Sequence, residues 1–148
     1  MIVYRLARLP YAQDLSGYGA SLSASNRWNV KGENMLYTAS NRALAFAEVY
    51  VHLRLYRIPQ DMMMVSLRLP DGANLNTQTL EKDIRNYRLK ETQLLGSEFI
   101  NNNFQFALRV PSVVVPGEYN ILINPSHPLS EQILIEDIQP FKFDSRLY

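Results

Sequence analysis

The sequence predicts an α+β domain in which a mixed central sheet is flanked by helices. Short stretches rich in β-branched and aromatic residues, typical of strands, recur along the chain, and two longer stretches have helical spacing. The length of 148 residues and the hydrophobic content of 47% predict a single domain, residues 1–148, with one core. We find no internal repeat, low-complexity tract or linker that would divide the chain.

The N-terminal third predicts a strand, a long loop, a second strand and a helix. Residues 2–7 alternate as a strand does, and residues 8–26 are rich in Ser, Gly, Ala and Asn, which indicates an irregular loop. Residues 35–39 predict the second strand. Ser40 is suited to cap a helix that continues to about Leu55.

The remainder predicts one strand, a helical region and a series of short strands. Residues 63–69 alternate and end at a Pro-Asp-Gly turn, and residues 78–102 have helical spacing in two pieces. Proline, glycine and asparagine then separate five strand candidates, which are residues 106–110, 112–115, 121–123, 132–135 and 141–143.

Composition excludes several classes of function. Fifteen Lys and Arg against fourteen Asp and Glu give a formal net charge of +1, which is too balanced for a general nucleic-acid binder. The absence of cysteine excludes disulfides and thiolate zinc sites and fits a reducing compartment, so we expect a cytoplasmic protein without a metal. No apolar run approaches the roughly 18 residues of a membrane helix, and the N-terminus lacks the apolar stretch of a signal peptide.

The familiar catalytic motifs are also absent. The chain has no GxxxxGK[ST] phosphate loop, no GxGxxG, no HExxH and no GxSxG. His52 and His127 are the only histidines, and nothing in their spacing indicates a serine–histidine triad.

Several motifs, in a fixed order along nearly the whole chain, resemble those of the RES-domain family. The segment 27–32, Arg-Trp-Asn-Val-Lys-Gly, is similar to the family's arginine motif, although Ser25-Asn26 replaces two glycines. The other similar segments are the tyrosine strand at 37–39, the glutamate helix at 45–48, the second helix at 92–100, the serine motif at 110–114, the Asn-Pro-x-His-Pro segment within 118–128 and the ending at 143–147.

The resemblance implies an ADP-ribosyltransferase-like fold and a toxin that degrades NAD. NAD is then the substrate and no cofactor is expected. The acceptor is water in an NAD glycohydrolase or inorganic phosphate in an NAD phosphorylase. The implied partner is a cognate antitoxin, Xre-like and DNA-binding, and the resemblance also suggests a homodimer.

Cleavage of the nicotinamide–ribose bond of NAD requires little more than one carboxylate. Nicotinamide leaves NAD as a pyridinium, so the reaction needs no general acid, unlike that of glycosidases with their paired carboxylates. Glu48 lies in a narrow polar wedge of a largely apolar helix, where a partly desolvated carboxylate would stabilise an oxocarbenium ion. The ordinary alternative is a solvated helical glutamate.

Four further residues complete the predicted site. Arg27 suits a pyrophosphate, although an arginine stacked on a neighbouring ring is the alternative. Tyr37 would stack on nicotinamide or ribose, unless it is a core tyrosine. Ser112 and Asn120 are candidates to bind the ribose or the amide, with backbone capping equally common for a serine. We assign catalysis to Glu48 together with Arg27 and Tyr37, and predict that these side chains and Ser112 converge on one cleft.

Two other functions stay open at the level of the sequence. The first is an ADP-ribosyltransferase that modifies a protein or nucleic acid, which would have the same active site. The second is a catalytically inactive module that binds a partner protein. The presence of Arg27, Tyr37 and Glu48 together argues against the second.

Overall fold

The fold is α+β, as predicted, with one seven-stranded mixed sheet, in a computed structural model that describes residues 1–148. The strands are β1 (Ile2–Arg8), β2 (Leu36–Ala39), β3 (Met62–Arg68), β4 (Leu75–Thr77), β5 (Ala107–Pro111), β6 (Tyr119–Ile123) and β7 (Leu134–Pro140). The α-helices are α1 (Tyr18–Ser21), α2 (Arg42–Tyr50) and α3 (Leu89–Asn102). None of them combines the length and the apolar character needed to cross a membrane.

The sheet has the order β4-β5-β6-β2-β1-β3-β7. Only β4 and β5 are parallel, and every other neighbouring pair is antiparallel. Antiparallel register places directly paired residues on the same face of a sheet, so the pairing assigns each core side chain to one of two faces.

One face of the sheet, the loop face, is covered by irregular segments. Val3 pairs with Leu67, and Leu36 pairs with Ile123, so these four side chains share that face. The same buried cluster includes Ala12, Phe106 and Ile133 from the covering segments.

The opposite face, the helix face, carries two separate apolar clusters. Under α2 lie Leu6, Ala39, Leu44, Ala45, Met62, Met64 and Phe143. Under α3 and the segment before β2 lie Trp28, Met35, Ile84, Phe99, Leu108, Val110 and Leu122. The seam between these clusters crosses β2, because Ala39 belongs to the first and Tyr37 packs against the second.

The cap of helix α2 lies one residue later than predicted. Ser40 follows the end of β2 and still bonds to the neighbouring strand, since its N–H donates to the Tyr119 carbonyl at 3.3 Å. The cap is Asn41, whose side-chain oxygen accepts the Leu44 N–H at 2.8 Å.

The same helix is also shorter than predicted. It ends at Tyr50, not near Leu55, and the residues that follow form turns. Val51 and Leu55 continue the apolar stripe in the sequence but are 53% and 50% exposed. Because tertiary packing leaves both side chains about half exposed, periodicity alone does not extend the helix.

The C-terminal half departs from prediction in five places. The strand predicted at 132–135 is β7, which begins at Leu134 and continues to Pro140. Of residues 78–102, only Leu89–Asn102 is α-helical, and the first piece holds the 3₁₀ turn Ile84–Asn86. The short, exposed edge strand β4 was not predicted. Residues 112–115 belong to the turn between β5 and β6, and residues 141–143 form no strand. Phe143 nevertheless packs under α2.

Candidate active site

The Glu48 carboxylate lies at the meeting point of three elements. Its Oε1 accepts a hydrogen bond from Ser112 Oγ at 2.6 Å and another from Asn120 Nδ2 at 2.7 Å. The side chains come from α2, from the turn after β5 and from β6. Oε2 has no hydrogen-bond partner in the chain, and the carboxylate forms no salt bridge. One oxygen is therefore fixed while the other is available to a ligand.

The Ser112 hydroxyl makes all of its hydrogen bonds within the protein. The residue is 3% exposed, and its oxygen accepts the N–H groups of Val114 at 3.1 Å and Val115 at 3.0 Å. The hydroxyl hydrogen goes to Glu48. A hydroxyl has one hydrogen and two lone pairs, so none is left for a substrate. Ser112 therefore caps backbone N–H groups, which was one of the two roles considered from the sequence, and it also contacts the Glu48 carboxylate.

Tyr37 shares the helix face with this cluster. The β2–β6 register pairs Tyr37 with Leu122 and Ala39 with Asn120. Residues two apart on a strand point to the same face, and such diagonal neighbours lie roughly 7–8 Å apart. The half-buried ring of Tyr37 is thus close to Asn120 on the surface where Glu48 is held.

The Tyr37 hydroxyl anchors the loop that precedes its strand. It donates to Asn29 Oδ1 at 2.7 Å and accepts the Trp28 N–H at 3.1 Å. Burial raises the pKa of Tyr37 above its usual value, so the hydroxyl remains a donor over the physiological range. The ring, and not the hydroxyl, is the part of this side chain that is free to contact a substrate.

Arg27 is a half-buried arginine with no internal partner. Its guanidinium forms no hydrogen bond, salt bridge or ring stack within the chain, so the stacked alternative is not observed. Its charge partly opposes the rise in the Tyr37 pKa that burial causes. No hydrogen bond or salt bridge joins Arg27 to Glu48, so the convergence of these two side chains on one cleft stays a prediction.

The sequence reasoning missed Asn29, which organises the loop around Arg27. Asn29 is fully buried, and its Nδ2 donates to the carbonyls of Ala20 at 3.0 Å, Val30 at 3.0 Å and Glu33 at 3.2 Å. Its Oδ1 accepts from Tyr37. The sequence contains one indication of this role, because Asn29 directly follows Arg27 and Trp28 in the arginine motif.

Two of the surface grooves differ in their relation to the site, since one touches these residues and the other does not. A groove of about 260 Å³ is lined by Ser112 and by charged residues that include Lys82 and Arg85. Both cations are already paired: Lys82 with Glu91 at 3.2 Å, and Arg85 with Asp83 at 2.9 Å. Hydrogen bonds from Arg85 lower the pKa of Asp83 to about 2. The larger groove, of about 350 Å³, is lined by residues such as Phe104 and His127 and shares no residue with the site.

Comparisons with known proteins identify relatives along nearly the whole chain. The model of the RES domain matches residues 2–144. The chain is 34% identical over 152 positions to "Toxin Res" of Pseudomonas putida, covering the whole of both chains. It is 33% identical over 149 positions to "Prs ADP-ribosylating toxin" of a Sphingobium species, covering 95% of this chain and 91% of that protein.

The fold also matches a solved structure. A chain in the crystal structure of the MbcT–MbcA toxin–antitoxin complex of M. tuberculosis superposes with a TM-score of 0.73 at 17% identity, covering 95% of this chain and 84% of that one. Because the family model spans almost the full sequence and the relatives align from end to end, this chain belongs to the RES-domain toxin family.

Proposed function

We propose that this chain is the toxin of a toxin–antitoxin pair and that it cleaves the nicotinamide–ribose bond of NAD. The observation that carries the proposal is the Glu48 carboxylate, with Oε1 fixed by two donors and Oε2 open to a ligand. A preorganised negative charge of this kind stabilises positive charge that develops in a transition state.

The proposed reaction balances without a protein acid. As the bond between ribose C1′ and the nicotinamide nitrogen breaks, its electron pair passes to the pyridinium ring, and neutral nicotinamide leaves. The ribose becomes an oxocarbenium ion beside Glu48 Oε2. Water or inorganic phosphate then forms the new bond at C1′ and loses a proton, which gives ADP-ribose or its 1′-phosphate.

Arg27 and Tyr37 supply the binding contacts in this proposal. A planar guanidinium without an internal partner can donate paired hydrogen bonds to the pyrophosphate of NAD. The Tyr37 ring is held rigidly, since its hydroxyl bonds Asn29 and Trp28, and it can stack on nicotinamide or the ribose face. Ser112 and Asn120 act by holding Glu48.

A macromolecular acceptor is the second candidate function. The name of the Sphingobium relative, "Prs ADP-ribosylating toxin", favours transfer of ADP-ribose to a protein. The same carboxylate would serve that reaction, because only the acceptor differs.

An antitoxin is the proposed partner. The relatives named as toxins, and the structural match within a toxin–antitoxin complex, support it. We propose an Xre-like, DNA-binding antitoxin that covers the cleft beside Glu48. A toxin that depletes NAD without an inhibitor would damage the cell that makes it.

The test is incubation of the purified protein with NAD, with and without phosphate and with no macromolecular acceptor. Mass spectrometry of the products identifies the acceptor. Stoichiometric release of nicotinamide with ADP-ribose or its phosphate supports glycohydrolysis or phosphorolysis. Nicotinamide release only after addition of a cell extract, with mass added to a protein or nucleic acid, would support the transferase. No release in either case would overturn the proposal.

A further inference from the structure

Helix α3 contacts the loop that carries Arg27, although it contributes nothing to the cluster around Glu48. We call residues 24–33 the arginine loop. Gly96 and Ser97 follow Gln93 by three and four residues on α3, so the three residues share one face of the helix. Each of the three contacts a different part of the arginine loop.

Gln93 holds the start of the loop. It is 7% exposed, and its Nε2 donates to the carbonyl of Ala24 at 3.0 Å and to that of Asn26 at 2.9 Å. Both amide hydrogens are therefore used on the backbone immediately before Arg27.

Gly96 receives the middle of the loop. A Cβ added at this position would lie 1.5 Å from the Trp28 carbonyl oxygen and 2.6 Å from its carbon. The backbone that follows Arg27 thus sits directly against the helix, in space that any side chain would fill.

Ser97 holds the end of the loop. Its hydroxyl donates to Glu33 Oε1 at 2.8 Å, and the same oxygen accepts the Val30 N–H at 3.1 Å. The contacts of the helix face therefore lie on both sides of Arg27 along the chain.

We propose that this face of α3, the α3 latch of Gln93, Gly96 and Ser97, fixes the arginine loop in the conformation that binds the pyrophosphate of NAD. The inference rests on the proposed role of Arg27. Because the guanidinium has no partner of its own, only the loop backbone and its neighbours determine where it points. Gln93 and Ser97 are then positioning residues. When the latch is loosened, the arginine loop becomes ordered only as NAD binds. The cost of this ordering weakens the affinity for NAD but leaves the chemical step intact.

The experiment compares Gln93→Ala and Ser97→Ala with Glu98→Ala, a matched control on the exposed side of the same helix. For the two latch variants we expect KM for NAD to rise about 5- to 10-fold, the size of one or two lost hydrogen bonds, with kcat unchanged within about twofold. Glu98→Ala should keep both constants.

A second readout does not depend on catalysis. Trp28 is the only tryptophan and is 3% exposed. Acrylamide should therefore quench its fluorescence more strongly in the latch variants than in the wild type or Glu98→Ala, while far-UV circular dichroism stays the same. Gly96→Ala should show the largest increase in quenching, or it should fail to fold. If it does not fold, Gln93→Ala and Ser97→Ala still test the proposal.

Wild type and Arg27→Ala separate failure of the latch from failure of the proposed function. If the wild type releases no nicotinamide, the proposed function is wrong. If the wild type cleaves NAD but Arg27→Ala keeps the wild-type KM, the proposed role of Arg27, on which the latch depends, is wrong. If both behave as proposed but Gln93→Ala and Ser97→Ala keep wild-type KM and quenching, the latch alone is wrong. A fall in kcat at constant KM in the latch variants would also overturn it.

Discussion

The two oxygens of the Glu48 carboxylate have different surroundings, and the difference assigns a supporting role to Ser112 and Asn120. Both donors meet Oε1. A carboxylate held at one oxygen keeps its other oxygen in a fixed direction, which is the preorganisation that electrostatic catalysis requires.

Replacing Ser112 with Ala should lower kcat about 10-fold with little change in KM, because Glu48 loses one of the two donors that orient it. The variant should also lose about 1–3 kcal/mol of stability, since the N–H groups of Val114 and Val115 lose their acceptor. Ser126→Ala, at an exposed serine, is the control. Steady-state kinetics measures kcat and KM, and thermal unfolding measures stability. A raised KM with normal kcat would instead indicate that Ser112 contacts the substrate.

Tyr37 gives a prediction for the pH dependence of stability. The folded chain holds the Tyr37 proton more tightly than the unfolded chain, whose tyrosines ionise near pH 10. The contribution of Tyr37 is therefore fully present below pH 10 and is lost as the pH rises above it. Tyr37→Phe should be less stable than the wild type at pH 7 by about 1–3 kcal/mol, and the gap should narrow above pH 10. Urea unfolding at several pH values measures the gap; a constant gap would contradict the account.

At the scale of elements, alternation and turn residues were enough to predict β1, β2, β3, β5 and β6 to within a residue or two. They failed where tertiary contacts decide the outcome. The apolar stripe beyond Tyr50 stays about half exposed, and β4 forms through its pairing with β5.

The same distinction applies to the candidate site. The prediction of all five site residues rests on the resemblance and on the chemistry of their side chains. The bonds of Ser112 and Asn120 to Glu48 span 64 and 72 residues, and sequence spacing carries no information about such contacts. Asn29 and the α3 latch were missed for the same reason, since their roles depend on which segments meet in space.

The cap of α2 is the most direct test of how this element is held. Asn41→Ala removes the acceptor for the Leu44 N–H and should destabilise the protein by about 1 kcal/mol. Asn41→Ser retains a capping oxygen and should stay close to the wild type. Denaturant unfolding of both variants measures the difference, and equal stabilities would show that the cap does not limit the helix.

For the whole molecule, the candidate site lies where the two clusters of the helix face meet. A partner that covers this seam would block access to Glu48. We therefore expect the protein encoded beside this toxin to abolish nicotinamide release at stoichiometric concentration. Turnover measured while this partner is titrated tests the expectation, and an unchanged rate in the presence of a stable complex would contradict inhibition by coverage of the cleft.

Glu48→Gln tests the central claim most directly. The glutamine carbonyl can still accept from Ser112 and Asn120, so the fold should stay within about 0.5 kcal/mol of the wild type. Loss of the negative charge should lower NAD turnover about 10²- to 10³-fold. Nicotinamide release and thermal unfolding are measured on the same preparation. A folded variant with greatly reduced turnover is the predicted result, and a folded variant that turns over NAD at the wild-type rate would contradict the account.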